Sequence, residues 1–202
     1  MSSIRNVTVY CASSGKVPQV YVDAAIELGT AIAKAGWGLI YGGNRIGVMG
    51  KLADAVRAAG GKVVGITPQL FIDKGIGDDV CDELVVSLGM RDRKAMLEQR
   101  GDAIIALPGG IGTLEEIFDV MVHKQLGYHA KPIVLLNTAN YYAPLLAMLE
   151  HGIEQNFIKA KARELYSVAG SVPEVMDILR SNRPGAPKGQ WTAAERPPSA
   201  TE

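Results

Sequence analysis

Residues 108–116 (PGGIGTLEE) carry the clearest chemical signal in this sequence, because three glycines precede two carboxylates there. Glycine has no Cβ, so the backbone of such a loop can approach a ligand closely. A helix that begins in the loop adds unpaired N–H groups and the positive end of its dipole, an arrangement that favours a phosphate. The segment is not a Walker A loop, because no lysine follows its last glycine. It is not a dinucleotide fingerprint either, because Glu115 stands where a third glycine is needed.

Two further segments rich in small residues, 11–15 (CASSG) and 41–50 (YGGNRIGVMG), also follow predicted strands. Ligands of open α/β sheets bind outside the carboxyl ends of the strands. Three such segments at equivalent strand ends therefore favour a site for a nucleotide phosphate. Each segment alone is also compatible with an ordinary tight turn between a strand and a helix, since glycine is common in such turns.

Glu115 and Glu116 directly follow the predicted phosphate loop. Their negative charges repel a dianionic phosphate there, and the helix dipole stabilises the phosphate by only about 0.3–1 kcal/mol. Their position is explained if one carboxylate faces a centre that becomes positive during a reaction. The C1 carbon of a sugar in an oxocarbenium-like state is such a centre, and a carboxylate can also activate the attacking water. The alternative is a capping box, in which Thr113 is the N-cap residue and Glu116 only bonds back to the Thr113 amide.

Arg91, Arg93 and Lys94 place three cations within four residues at the predicted start of a helix, where positive charge opposes the helix dipole. Arginine can bind a phosphate or a carboxylate through two parallel hydrogen bonds, which favours a role in a site. The alternative is a solvated basic surface partnered by Asp92 and Glu98.

Apolar, β-branched runs alternate with helical patterns along most of the chain. Strands are predicted at residues 6–10, 38–41, 62–66, 83–87, 102–107 and 132–136, with a weaker one at 165–168, and helices at 20–35, 48–59, 91–100, 114–126, 141–154 and 173–179. This alternation predicts a Rossmann-like, doubly wound open sheet, mostly parallel, with helices on both faces. We expect a single domain over residues 1–180 and a disordered, proline-rich tail over residues 181–202.

The composition excludes several classes of protein. Lys+Arg and Asp+Glu are 21 each, so there is no basic excess to attract nucleic acid or an anionic membrane surface. No apolar run approaches the ~20 residues that span a bilayer. Cys11 and Cys81 lie far apart and we expect free thiols, with Cys11 a small buried side chain rather than a nucleophile. Three histidines show no metal-ligand spacing, and no secretion leader is apparent, so we expect a cytoplasmic protein without a metal site.

Taken together, these segments resemble the Lonely Guy family of cytokinin riboside 5′-monophosphate phosphoribohydrolases. The family's PGGxGTxxE hallmark stands at residues 108–116 and its Met-x-x-Arg-Lys stretch at 90–94, while 10–15 and 41–50 are also similar. The resemblance covers about residues 4–179. It implies hydrolysis of the N-glycosidic bond of an N6-modified AMP to free base and ribose 5-phosphate. It also implies a homodimer with its sites near the subunit interface, and no cofactor.

By position, the resemblance makes Arg93 and Glu116 the catalytic pair. The substrate-binding residues on the same basis are Ser14, Gly43, Met90, Lys94, Gly109, Gly110, Ile111, Gly112, Thr113, Leu114 and Glu115. Members of this family are often labelled possible lysine decarboxylases. We disfavour that activity, because the chain is short for a PLP decarboxylase and no lysine stands in a recognisable Schiff-base setting.

We therefore expect a metal-independent hydrolase of nucleoside 5′-monophosphates, and both cytokinin activation and AMP salvage fit the sequence. The alternative from another class is a non-catalytic nucleotide carrier or sensor on the same fold, since a fold does not determine a function. A carrier also needs the glycine loops, but it has no need of Arg93 and Glu116.

Overall fold

The computed structural model describes residues 4–181, and the predicted tail beyond Ser181 lies outside the described residues. Seven parallel strands form one sheet in the order β4-β3-β2-β1-β5-β6-β7. The strands are β1 (Asn6–Tyr10), β2 (Gly38–Tyr41), β3 (Val63–Pro68), β4 (Glu83–Ser87), β5 (Ala103–Ala106), β6 (Ile133–Leu136) and β7 (Ser167–Ala169). The predicted Rossmann-like α/β class is confirmed, and the weakest predicted strand forms as β7.

Seven α-helices and two 3-10 turns connect the strands within the described residues. The helices are α1 (Gln19–Lys34), α2 (Gly47–Ala58), α3 (Gln69–Asp73), α4 (Met90–Arg100), α5 (Ile111–Leu126), α6 (Ala143–Glu154) and α7 (Val172–Ser181). The 3-10 turns are Thr138–Asn140 and Ala160–Glu164. The short helix α3 was not predicted, because five residues carry too little periodicity to identify a helix.

The sheet is buried on both faces, which explains why its strands are continuous apolar runs in the sequence. Alternate side chains point to opposite faces. On β1, Val7 and Val9 join a core with α1, α2 and α7, whereas Tyr10 joins the opposite core with α4, α5 and α6. The central strands are thereby held rigidly from both sides, and so are the loops that leave them.

The strand order reverses at β1, which pairs with β2 on one side and with β5 on the other. At such a switch point the loops leaving adjacent strands diverge and open a crevice at the carboxyl edge of the sheet. All three glycine-containing segments leave strands at this edge. No helix within residues 4–181 has the length and apolar character needed to cross a membrane.

Candidate active site

A cavity of about 440 Å³ opens at the switch point. Its walls come from the loops after β1, β2 and β5, from the first turns of α4 and α5, and from the segment around α3. The lining residues are Val9, Tyr10, Cys11, Ala12, Ser13, Ser14, Gly42, Asn44, Ile46, Met49, Phe71, Ile76, Met90, Arg93, Gly110, Ile111, Gly112, Thr113, Glu115 and Glu116. The three glycine-containing segments therefore converge on one cavity, as their positions at the strand ends predicted.

The loop between β5 and α5 leaves backbone donors available at the cavity. Gly110 is the N-cap residue of α5 and provides no side-chain hydrogen bond, and the first intrahelical bond runs from the Leu114 amide to the Gly110 carbonyl. The N–H groups of residues 111–113 precede that bond, so they lack intrahelical acceptors. A Cβ built on Gly110 or on Gly112 meets no atom within 4 Å, so both glycines border open space. This is the arrangement that binds anions at helix N-termini.

The capping-box interpretation of Glu116 is wrong. Helix α5 begins at Ile111, so Thr113 is its third residue and not its N-cap. The Glu116 carboxylate instead accepts a hydrogen bond from Arg93 of α4, with 2.7 Å between Oε1 and Nη1. Thr113 is itself buried against the turn, since a Cβ on Gly109 would lie 2.1 Å from its Oγ1.

Arg93 and Glu116 form a buried ion pair, with 5% and 8% of their surfaces exposed. The guanidinium also donates from Nε to the Ile66 carbonyl at 3.0 Å and from Nη2 to the Gly42 carbonyl at 3.3 Å. Acceptors from three separate elements therefore hold Arg93 in one orientation. A Cβ on Gly42 would lie 2.2 Å from Nη2, which explains the glycine at that position.

Burial raises the pKa of Glu116, and the nearby Arg93 opposes this shift without cancelling it. The result is a carboxylate with a pKa above its ordinary range that borders a cavity. General bases with raised carboxyl pKa values accept protons more readily near neutral pH than ordinary glutamates do. The environment thus suits Glu116 to proton transfer as well as to charge stabilisation.

The remaining cations of α4 are divided between the site edge and the surface. The Lys94 ammonium contacts Glu115 and lies 3.3 Å from Asp119, and it does not line the cavity. Hydrogen bonds to these carboxylates raise the pKa of Lys94. Arg91 is exposed, as a solvated basic surface requires, but the predicted partner Glu98 bonds to His123 instead.

The predicted site residues fall into two groups in the structure. Nine of them line the cavity: Ser14, Met90, Arg93, Gly110, Ile111, Gly112, Thr113, Glu115 and Glu116. Four lie outside its lining: Gly43, Lys94, Gly109 and Leu114. Gly43 packs against Ile66 and Thr67 with a φ of +68°, a backbone conformation that glycine adopts without strain. That Gly43, Lys94, Gly109 and Leu114 bind substrate stays a prediction.

Sequence analysis missed the apolar wall that Phe71 and Ile76 contribute from α3 and the segment after it. This segment is tied to the β2 loop by backbone bonds from Asp78 to the Gly43 carbonyl (2.8 Å) and from Arg45 to the Ile76 carbonyl (3.1 Å). Gly75 and Gly77 stand in this segment but do not directly follow a strand, so they were not recognised as part of the site. Its hydrogen bonds join it to a loop about 30 residues earlier in the chain.

The described residues offer neither a thiolate nucleophile at the cavity nor a grouped set of metal ligands. Cys11 lines it but is buried, and burial raises the pKa of its thiol far above the ordinary range, so it is not a thiolate nucleophile. Both Cys11 and Cys81 are free thiols, as predicted. Among residues 4–181, no three His, Cys, Asp or Glu side chains are grouped so that they could hold a metal ion.

Comparison with known proteins identifies clear relatives. A family model described as "Possible lysine decarboxylase" matches residues 49–179. The chain is 39% identical over 183 residues to a probable cytokinin riboside 5′-monophosphate phosphoribohydrolase of Oryza sativa subsp. japonica, covering 91% of this chain and 75% of the relative. It is also 39% identical over 178 residues to the cytokinin riboside 5′-monophosphate phosphoribohydrolase of Mycobacterium tuberculosis, covering 88% of this chain and 93% of the relative.

A solved structure with a different described role has a similar fold. The molybdenum cofactor carrier protein of Chlamydomonas reinhardtii superposes with a TM-score of 0.66 at 25% sequence identity, covering 88% of this chain and 96% of that one. The sequence is therefore much more similar to the phosphoribohydrolases than to this carrier.

Proposed function

This chain belongs to the Lonely Guy family of cytokinin riboside 5′-monophosphate phosphoribohydrolases, and we propose that it hydrolyses the N-glycosidic bond of an N6-modified adenosine 5′-monophosphate. The products are the free base and ribose 5-phosphate. The observation that carries the proposal is the buried Arg93–Glu116 pair beside a glycine loop with unpaired backbone donors. A binding site alone does not require a carboxylate next to an anion site, whereas this reaction does.

The 5′-phosphate binds to the N–H groups of residues 111–113, at the positive end of the α5 dipole. Open space at Gly110 and Gly112 allows the phosphate oxygens to come close to the backbone. Ser14 and Met90 lie on other walls of the same cavity, and Glu115 is available to accept hydrogen bonds from ribose hydroxyls.

Glu116 stabilises the positive charge that develops at C1′ and activates the attacking water. The bond between C1′ and the base nitrogen breaks and leaves its electron pair on the base. The water oxygen bonds to C1′ and its proton passes to Glu116. Glu116 then gives this proton up, and the departing base takes up one proton, so that one water is consumed and the carboxylate is restored. General base catalysis of this kind contributes about 10²–10⁴-fold to a rate. Arg93 orients the carboxylate through the 2.7 Å bond between Nη1 and Oε1.

The test is chromatography of the products formed from AMP and, separately, from N6-isopentenyl-AMP, without added metal. Base and ribose 5-phosphate from the prenylated nucleotide alone would support cytokinin activation, and release from both would support a broader AMP-salvage activity. Glu116→Gln is expected to abolish turnover and to keep nucleotide binding. The matched control is Glu154→Gln, because Glu154 is an exposed residue of α6 outside the cavity and should leave turnover unchanged.

The second candidate function is a non-catalytic nucleotide carrier, which the similarity of fold to the Chlamydomonas carrier favours. A carrier binds nucleotide without product release in the wild-type protein, and its Glu116→Gln variant differs from wild type only in affinity. Binding of AMP without any hydrolysis of either nucleotide would therefore favour the carrier function over the enzymatic one.

A homodimer is supported by the family resemblance and by the exposed face of α5. Ile111, Phe118, Val122 and Leu126 fall on one side of this helix, where Ile111 is 83% and Val122 48% exposed. Ile111 also lines the cavity, so a partner packed on this face would lie beside the site. Two free thiols favour the reducing cytoplasm as the location of the protein.

A further inference from the structure

The connection between β6 and α6 has a backbone conformation that the proposed catalytic groups do not explain. Ala139 and Asn140 are consecutive and both have a positive φ, 49° and 58°. Residues other than glycine rarely adopt this left-handed conformation, and they keep it only where surrounding contacts impose it. The contacts here run through Asn137, whose Oδ1 accepts the Tyr142 amide at 2.7 Å and whose own amide bonds to the Ala169 carbonyl at 2.8 Å.

This connection places two tyrosine hydroxyls on the neighbouring loop between β5 and α5. Tyr142, which is buried, donates to the Leu107 carbonyl at 2.6 Å. Tyr141 donates to the Gly109 carbonyl, also at 2.6 Å. Among residues 4–181, no other side chain donates a hydrogen bond to the carbonyl groups of residues 107–110. Two adjacent residues therefore hold the loop on both sides of Pro108, which has no N–H of its own to donate.

The Tyr141 ring is itself held in place by two edge-to-face contacts. Its centroid lies 5.8 Å from that of Tyr21 and 5.2 Å from that of Tyr142, with the ring planes nearly perpendicular. Such aromatic pairs restrict the orientation of the ring. Because the ring is fixed, its hydroxyl fixes the Gly109 peptide, and this peptide directly precedes the N-cap residue of α5.

We propose that Tyr141 is a positioning residue for phosphate binding, holding the Gly109 peptide so that the N–H groups of residues 111–113 are preorganised for the 5′-phosphate. This inference rests on the proposed function, which puts the phosphate at that turn. Tyr141 does not line the cavity and so acts through the loop rather than by touching the substrate. Preorganised donors bind an anion more tightly, because the loop loses less conformational freedom on binding.

The test compares wild type, Tyr141→Phe and Tyr21→Phe. Tyr141→Phe keeps the ring and its packing and removes only the hydroxyl. Tyr21→Phe is the matched control, since Tyr21 belongs to the same aromatic cluster and its hydroxyl makes no hydrogen bond to any residue that the structure describes. Affinities are measured by calorimetry for AMP, ribose 5-phosphate and adenosine, and thermal melting confirms that each variant is folded.

We expect Tyr141→Phe to weaken AMP and ribose 5-phosphate binding about fivefold, the effect of losing one hydrogen bond. Adenosine, which lacks the phosphate, should bind equally well to all three proteins, and kcat should change less than twofold while KM rises. Unchanged AMP affinity in Tyr141→Phe would overturn the proposal, and so would an equal loss of adenosine affinity. If the wild-type protein binds AMP without hydrolysing either nucleotide, the enzymatic function is disproved. The positioning role of Tyr141 is still tested in that case, because it is judged by binding affinities and not by turnover.

Discussion

At the scale of single residues, Arg93 and Glu116 form the part of this molecule in which burial and charge most directly suit a reaction. Burial favours the neutral form of the carboxyl, and the guanidinium 2.7 Å away favours the ionised form. The balance leaves the pKa of Glu116 raised. The acid form of this residue consequently persists to a higher pH than that of an ordinary glutamate.

This shift predicts the pH dependence of the reaction. In the proposed mechanism Glu116 acts as a carboxylate. Activity should therefore fall as the pH drops through its pKa, and the acidic limb of kcat/KM should lie above the ordinary value of 4.5. The limb should move still higher in Arg93→Gln, which removes the cation that favours ionisation. The measurement is a pH profile of kcat/KM for the nucleotide that is hydrolysed. A limb at or below pH 4.5 in the wild type would contradict the assignment of Glu116 as the base.

At the scale of elements, the loops after β2 and β5 contain glycines for two different physical reasons. At Gly42 a side chain would collide with a group of the protein, since a Cβ would lie 2.2 Å from Arg93 Nη2. At Gly110 a side chain would meet only open space, and the backbone φ of −84° is accessible to any residue. The first glycine leaves room for the Arg93 guanidinium, whereas the second borders the open space of the cavity.

Alanine substitutions should separate these two roles. Gly42→Ala displaces the guanidinium from Glu116, so we expect kcat to fall at least tenfold. Gly110→Ala should fold with a stability within about 1 kcal/mol of wild type, because the lower entropy of the unfolded chain and the poorer N-cap preference of alanine act in opposite directions. Its new Cβ would fill part of the proposed phosphate site, so KM should rise about tenfold. Steady-state kinetics and thermal melting of both variants test these expectations. Gly60→Ala is not a suitable control, because Gly60 has a φ of +76° and an alanine there would be strained.

The segment that follows α3 is held to strand β2 and helix α2 by a buried carboxylate. Asp78 is fully buried and accepts hydrogen bonds from Tyr41 Oη at 2.5 Å and from Arg57 Nη1 at 2.8 Å. Burial raises the pKa of Asp78, but these two hydrogen bonds outweigh it and hold the pKa below its usual value. The network positions the apolar wall formed by Phe71 and Ile76.

Removing this charge should destabilise the protein in a pH-dependent way. Asp78→Asn leaves the Arg57 cation without its buried partner, and we expect a loss of about 2–4 kcal/mol in the free energy of unfolding near pH 7. A depressed carboxyl pKa stabilises the folded state above the unfolded pKa of about 3.9, and this contribution is lost as the pH falls through the lower folded value. Urea denaturation at pH 7 and below pH 4 should therefore show the difference between wild type and Asp78→Asn shrinking in acid. A constant difference would contradict this account.

At the scale of the whole molecule, the exposed apolar face of α5 predicts self-association. Val122 lies at its centre and is 48% exposed. Val122→Glu puts a charge on this face and should convert a dimer into a monomer, which light scattering coupled to gel filtration would detect. Val168→Glu is the control, because Val168 is similarly exposed (37%) but lies on the edge strand β7. A wild-type protein of monomeric mass would disprove the proposed dimer.

Much of the fold and of the site was determined by local patterns in the sequence. Continuous apolar runs such as residues 103–106 predicted parallel strands, because a strand covered on both faces has no polar side. The glycine segments at 11–15, 41–50 and 108–116 predicted one cavity, since the carboxyl ends of adjacent parallel strands meet at one edge of the sheet. The apolar runs and the glycine segments can be recognised in the sequence because each depends on residues that are close together along the chain.

Tertiary structure decided what local patterns left open. From the sequence, Glu116 was compatible with a bond to its own helix start and with a carboxylate that faces a site. Only the tertiary structure shows that it bonds to Arg93, which is 23 residues away. The wall at Phe71 and Ile76, and the Tyr141 hydroxyl on Gly109, likewise depend on contacts between distant segments. A hydrogen bond between residues far apart in sequence leaves no periodicity or spacing to recognise, so its partners become apparent only when the chain is folded.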